Sequence, residues 1–161
     1  MAFLFVTNME FHSSVIFVKD IKVSKKFYCD ILNQEIETDF GNNISLRNGL
    51  SLWEIPKTHL LNNSFYQKGN TNQALELYFE TENIDAVVDL IKKNKISKHH
   101  DLLEESWGQK TIRVYDPDQN LIEIGEKLEI FIRRMFESGL NTIQIYQKTG
   151  VPENLIKELL K

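Results

Sequence analysis

Two carboxylates stand in strand-like segments where alternation turns them away from the apolar side. In residues 121–124, Ile122 and Ile124 share one side, which puts Leu121 and Glu123 on the other. Around residue 76, Leu77 and Phe79 are apolar and leave Glu76 and Tyr78 opposite. A carboxylate on such a face can ligate a cation or act as a general base, so Glu123 and Glu76 are the candidate catalytic residues. For Glu123 an ion pair competes with that role. Ile112 and Val114 are apolar alternates, so Arg113 falls on the face of Glu123, and a hairpin over residues 116–120 sets the two nearly opposite. A neighbouring cation lowers a carboxylate's pKa and weakens it as a base. The sequence reveals no partner for Glu76.

Phe17, Trp53 and Tyr78 alternate in step with Ser13, Ser51 and Glu76, while Tyr115 shares the parity of Arg113. With Arg113 they form a candidate ligand-binding set for a planar molecule, core packing being the alternative for the aromatics. Trp107 is assigned to the core. Alternation aims His12 to the face opposite Ser13, and His59, His99 and His100 are expected in loops or at a helix end. The basic run over residues 92–100 reads as a solvated helix C-terminus that complements the macrodipole.

The elements that must hold these residues follow from periodicity and turn chemistry. A strand over residues 13–20 ends at Asp20, which can cap a helix carrying Ile21, Ser24, Phe27, Tyr28 and Ile31. Short strands are expected around residues 34–38, 43–47 and 50–55, with turns at Gly41-Asn42 and Asn48-Gly49. Residues 57–73 read as a linker. The same order then recurs: a strand at 75–79, a helix capped by Thr81 or Asn83, and strands near Ile96, at 111–115 and at 121–124. Asp20-Ile21 matches Asn83-Ile84, and residues 50–52 match 122–124, so the chain reads as an internal duplication of a βαβββ unit.

Beyond Glu126 the period becomes helical, with Leu128, Phe131, Ile132, Met135 and Phe136 before Gly139, then segments 142–148 and 152–160 joined by Thr149-Gly150-Val151. This tail (127–161) resembles a helix-turn-helix, but from Leu128 onward its net charge is only +1, a poor footprint for phosphate, and nucleic acid is not an expected partner. Three short helices seldom form a core alone, so the tail is expected to dock on the domain or on a second subunit.

The chain has 161 residues, 42% of them hydrophobic, and a net charge of -4. Those values exclude wholesale disorder and a protein that coats nucleic acid or an anionic membrane. No apolar run is long enough for a transmembrane helix. Residues 1–8 lack the basic flank and cleavage site of a signal peptide, and the single Cys29 fits a reducing compartment, so a cytoplasmic location is expected.

A duplicated βαβββ unit with Val18-Lys19-Asp20 before a Phe27-Tyr28 helix, Ser106-Trp107-Gly108, and the turn from Asp116 to Glu123 resembles the vicinal oxygen chelate superfamily, which holds glyoxalases, bleomycin-resistance proteins and dioxygenases. Gln119 stands where the usual family turn has Gly. The resemblance implies an α+β fold: two units, 11–55 and 74–126, forming a half-barrel cup over 11–126, with the helical tail appended. It also implies a metal set at Ser13, Ser51, Glu76 and Glu123. Family members usually place His at one or both first-strand positions, so two hydroxyls and two carboxylates would suit a hard divalent cation and hold it weakly. The implied cofactor is a divalent metal, Mg, Mn, Ni or Zn. The expected function is binding of a small organic ligand in the cup by a homodimer. A metal-dependent lyase or isomerase resembling lactoylglutathione lyase is the alternative, and a ligand-responsive regulator that uses the tail is the third.

Overall fold

Asp20 is the residue at which the first strand turns into a helix. Strand β1 (Ser14–Phe17) leads to it, and its side chain accepts from the N–H groups of Lys22 and Val23 (2.9 and 3.2 Å), capping α1 (Ile21–Lys25). The helix runs on as a π-helical turn (Lys26–Ile31) that buries Phe27 and Tyr28. Strands β2 (Ile36–Asp39), β3 (Asn43–Leu46) and β4 (Leu50–Trp53) follow. Strand β1 pairs parallel to β4 and the others pair antiparallel, giving a mixed sheet of order β1-β4-β3-β2.

The computed structural model describes residues 11–61 and 75–161, so most of the linker expected at 57–73 lies outside the described residues. The chain divides into two units, one up to Asn70 and one from Thr71. The second unit repeats the first. Strand β5 (Glu76–Thr81) precedes α2 (Ile84–Lys93), capped by Asn83, whose side chain accepts from the Ala86 N–H (3.0 Å). Strands β6 (Lys98–Glu104), β7 (Lys110–Tyr115) and β8 (Leu121–Glu126) complete a sheet of order β5-β8-β7-β6. Helix α2 lies against β7 and β8, where Ile112, Val114, Ile122 and Ile124 are buried. The strand expected near Ile96 starts later. Lys95 takes a positive φ and the Ile96 N–H bonds to Ile91 O, so these residues close the helix, and His99 and His100 lie in β6 rather than in a loop or helix end.

The duplication is visible in the strand register. In the first sheet Ser51 lies between Val15 and Ser45, and in the second Glu123 lies between Tyr78 and Arg113. The outermost pairs, Thr38 with Ser45 and His100 with Arg113, each follow a register shift two residues wide. Two residues back along β1 and β5, Ser13 is the counterpart of Glu76.

The tail forms α3 (Leu128–Glu137), α4 (Thr142–Thr149) and α5 (Glu153–Leu159). Asn141 and Gln144 make a reciprocal capping box for α4, and Gly150 ends it in the left-handed region. Phe131, Ile132, Met135, Ile145 and Ile156 are buried together, so the three helices have an apolar core of their own, against the expectation that they would lack one. They are nevertheless fastened to the second unit. Arg134 Nη2 donates to Glu126 Oε2 and to Gly108 O (both 2.7 Å), and Nη1 donates to Glu104 (3.1 Å). Among the described residues no helix is long and apolar enough to cross a membrane.

Candidate functional site

Arg113 is the centre of an ion-pair network in the second unit. Its Nε donates to Glu76 (2.7 Å), its Nη1 to Glu105 (2.9 Å), and its Nη2 pairs with Glu123, directly opposite on β8. Alternation puts Arg113, Glu76 and Glu123 on the side away from α2. The Glu123 side chain is 7% exposed and the Arg113 side chain 22%. Burial works against the guanidinium charge, but the hydrogen bonds and charges of Glu76 and Glu105 outweigh it and push the Arg113 pKa above its ordinary value. Thr111 Oγ1 donates to the same Glu105 oxygen (3.1 Å) and fixes that carboxylate.

His100 joins the network through Arg113 Nη1 (3.2 Å). Arginine only donates and a carbonyl only accepts, so the roles at the ring are determined. Its Nε2 offers a lone pair to Arg113, and its Nδ1–H donates to Asp101 O (2.7 Å). His99 contacts the Tyr115 hydroxyl (2.8 Å) farther along the same strands.

The predicted residues fall into separate groups. Glu76, Glu123 and Arg113 meet, and Arg113 supplies the partner that Glu76 lacked in the sequence. Tyr78 does not join them. Its hydroxyl accepts from Gln109 (2.7 Å) and donates to Glu80 (3.1 Å), and burial raises its pKa despite the Gln109 bond. Tyr115 turns to His99. In the first unit, Phe17 and Trp53 pack at 5.7 Å between ring centroids, and Trp53 meets the His59 ring at 5.2 Å. Ser51 is buried with its Oγ 3.2 Å from Ser45 Oγ, and Ser13 is half-buried just before β1. Trp107, expected in the core, is 38% exposed, because its indole N–H is held by Gln109 (3.1 Å) at the strand end.

Sequence reasoning missed Glu105, His100 and Gln109. Glu105 and Gln109 bracket the Ser106-Trp107-Gly108 turn, which was the available signal for both. His100 was hidden by the lysines around it, which made the segment read as a helix end.

The side chains of the second unit do not fit a divalent cation as arranged. The two carboxylates expected as ligands both hold the Arg113 guanidinium, and a cation beside them would face that charge. Among the described residues no group of three or more His, Cys, Asp or Glu is disposed to hold a metal.

Residues 11–129 match the family model of the glyoxalase-like domain. A protein of unknown function from Agrobacterium tumefaciens is 33% identical, covering 78% of this chain and 99% of its own, with a TM-score of 0.65. A glyoxalase/dioxygenase from Nostoc punctiforme (23% identity, 73% and 90% covered, TM-score 0.55) and a lactoylglutathione lyase from Agrobacterium tumefaciens (17%, 75% and 96%, 0.54) share the fold. No protein of curated function matches the sequence. The duplicated βαβββ register and these likenesses agree: the chain belongs to the glyoxalase-like family of the vicinal oxygen chelate superfamily.

Proposed function

We propose that this glyoxalase/bleomycin-resistance-like protein binds a small organic molecule on the strand face of its second unit, with Arg113 as the polar anchor and without a metal between protein and ligand. One observation carries this function. Among the described residues, the hydrogen bonds of Arg113 run from Nε to Glu76 and from Nη1 to Glu105 and His100, while Nη2 faces Glu123 as an ion pair, so Nη2 is the nitrogen left to donate to an acceptor oxygen of a ligand. A guanidinium locked by three carboxylates is pre-organised, so binding costs little side-chain entropy. Glu123 is engaged by the Arg113 guanidinium, which opposes its use as a free base.

Ligand-observed NMR against small neutral amides and ketones tests this function. At least one of these probes should show saturable binding to the wild-type chain and lose it in Arg113→Met. Probes that bind Arg113→Met unchanged would overturn the proposal. So would metal-stimulated formation of lactoylglutathione from methylglyoxal and glutathione that disappears in Glu123→Gln.

A further inference from the structure

The turn between β3 and β4 holds the one asparagine of the sequence that precedes a glycine, Asn48-Gly49. Both residues are exposed, and Gly49 sits at φ +85 with nothing within 4 Å of the place a Cβ would take. The Asn48 side chain folds back on its own backbone. Its Oδ1 accepts from the Leu50 N–H (3.0 Å), which closes a loop of atoms that includes both Asn48 Cγ and the Gly49 nitrogen. Its Nδ2 donates to Gln34 Oε1 (2.8 Å), and the Gly49 N–H donates to Leu46 O (3.1 Å).

These features divide into some that favour attack on the Asn48 amide and some that oppose it. The Gly49 nitrogen carries no Cβ beside it to hinder its approach. The Leu50 N–H already donates to the oxygen on which negative charge develops when a nucleophile adds to Cγ. Against this, the bond to Leu46 holds the proton of the attacking nitrogen, and the bond to Gln34 holds the amide that must leave. Both bonds lie at an exposed turn, where local opening costs little.

We propose that Asn48 is a site of spontaneous covalent modification, in which the Gly49 nitrogen attacks Asn48 Cγ and Gln34 sets the delay. The N–Cγ bond forms and the Cγ–Nδ2 bond breaks. The Gly49 amide proton passes to solvent, and the leaving amide takes one up and departs as ammonia. Water then opens the cyclic imide at either carbonyl, giving aspartate or an isoaspartate whose main chain is longer by a methylene. The product acts on the first sheet. Gly49 O accepts from the Ser14 N–H (3.0 Å) at the start of the β1–β4 pairing, and a lengthened turn draws the two apart. The site lies in the first unit and is independent of the Arg113 anchor.

The test incubates the full chain at neutral and at mildly alkaline pH. Electron-transfer mass spectrometry of its peptides separates aspartate from isoaspartate. Modification should appear at Asn48 ahead of the other asparagines of the described residues, and faster at the higher pH. Gln34→Ala, with its circular dichroism retained, should react about fivefold faster, the factor that one lost hydrogen bond allows. Gln34→Glu, which keeps an acceptor for Asn48 Nδ2 but gives up the bond from Gln34 Nε2 to Leu32 O, should stay near the wild-type rate. The isoaspartate form, separated by ion exchange, should melt below the unmodified chain. An Asn48 left intact while other asparagines react, or equal rates in wild type and Gln34→Ala, would overturn the proposal.

Discussion

Replacing Arg134 by Met keeps most of the aliphatic stem and removes the charged fork that joins the tail to the second sheet. Four contacts go: Nε to Glu126 Oε1 (3.0 Å), Nη2 to Glu126 Oε2 and to Gly108 O (both 2.7 Å), and Nη1 to Glu104 (3.1 Å). The Glu126 side chain is 4% exposed and keeps only the Lys110 N–H (2.9 Å). Stripping the cation from a buried carboxylate costs about 3–5 kcal/mol in a fully buried pair. The Arg134 side chain is 32% exposed, so water reaches part of the gap and screens the loss. The expected cost is then about 2–4 kcal/mol. For a chain of this size that lowers Tm by roughly 5–15 °C. Urea unfolding followed by circular dichroism measures it, and Arg134→Met with Glu126→Gln should be more stable than Arg134→Met alone because the stranded charge is gone. A loss under about 0.5 kcal/mol, the range of an ordinary surface change, would refute the latch, as would a double variant no better than the single one.

Three further outcomes follow from the structure. Gln119 sits at φ +70 in the β7–β8 turn, and Gln119→Gly should raise stability by about 0.5–1 kcal/mol in the same assay, since the left-handed cost of about 1–2 kcal/mol exceeds glycine's entropy penalty. Gly108→Ala should destabilise by roughly 1–3 kcal/mol, because a methyl at φ +93 meets Met135 and must push it aside. Asp39, Glu82, Asp101 and Glu153 are held below their usual pKa by hydrogen bonds from Lys25, Lys127, Lys98 and Lys157; at Glu104 burial opposes the fall, but Lys148 and Arg134 outweigh it. A depressed folded pKa means the unfolded chain takes up protons first, so this stabilisation is complete above the unfolded carboxylate range, about pH 4–4.5, and is lost as pH falls through the folded values. Tm should be level from about pH 5.5 to 7 and decline below about pH 4, with a shallower decline in Lys25→Met; a Tm indifferent to acid would contradict the pairing.

The fold was legible because its signals are local. Asp20 and Asn83 cap the two first helices, Asp116 organises the last turn, and Ile112, Val114, Ile122 and Ile124 set a parity that places Arg113 against Glu123. The site was legible only as far as that parity reaches. Glu76 lies 37 residues from Arg113 and meets it across the width of one strand, because β5 joins the sheet beside β8, not beside β7. His100 depends on a register shift in β6, which no alternation rule anticipates. Trp107 was misplaced because an aromatic in a turn looks like core until the bond that ties its N–H to Gln109 is seen. The tail's own core depends on how three short helices meet, which their separate apolar stripes do not state.

The most direct test of an arginine standing among the carboxylates where family resemblance expects a metal is titration of Mn2+ by electron paramagnetic resonance, since oxygen ligands suit that ion and its free signal is easily counted. The wild-type chain should leave Mn2+ free. Arg113→Ala, which releases Glu76, Glu105 and Glu123 from the guanidinium, should take up about one ion per chain and gain thermal stability from it. Stoichiometric Mn2+ binding by the wild-type chain, abolished by Glu123→Gln, would contradict the account.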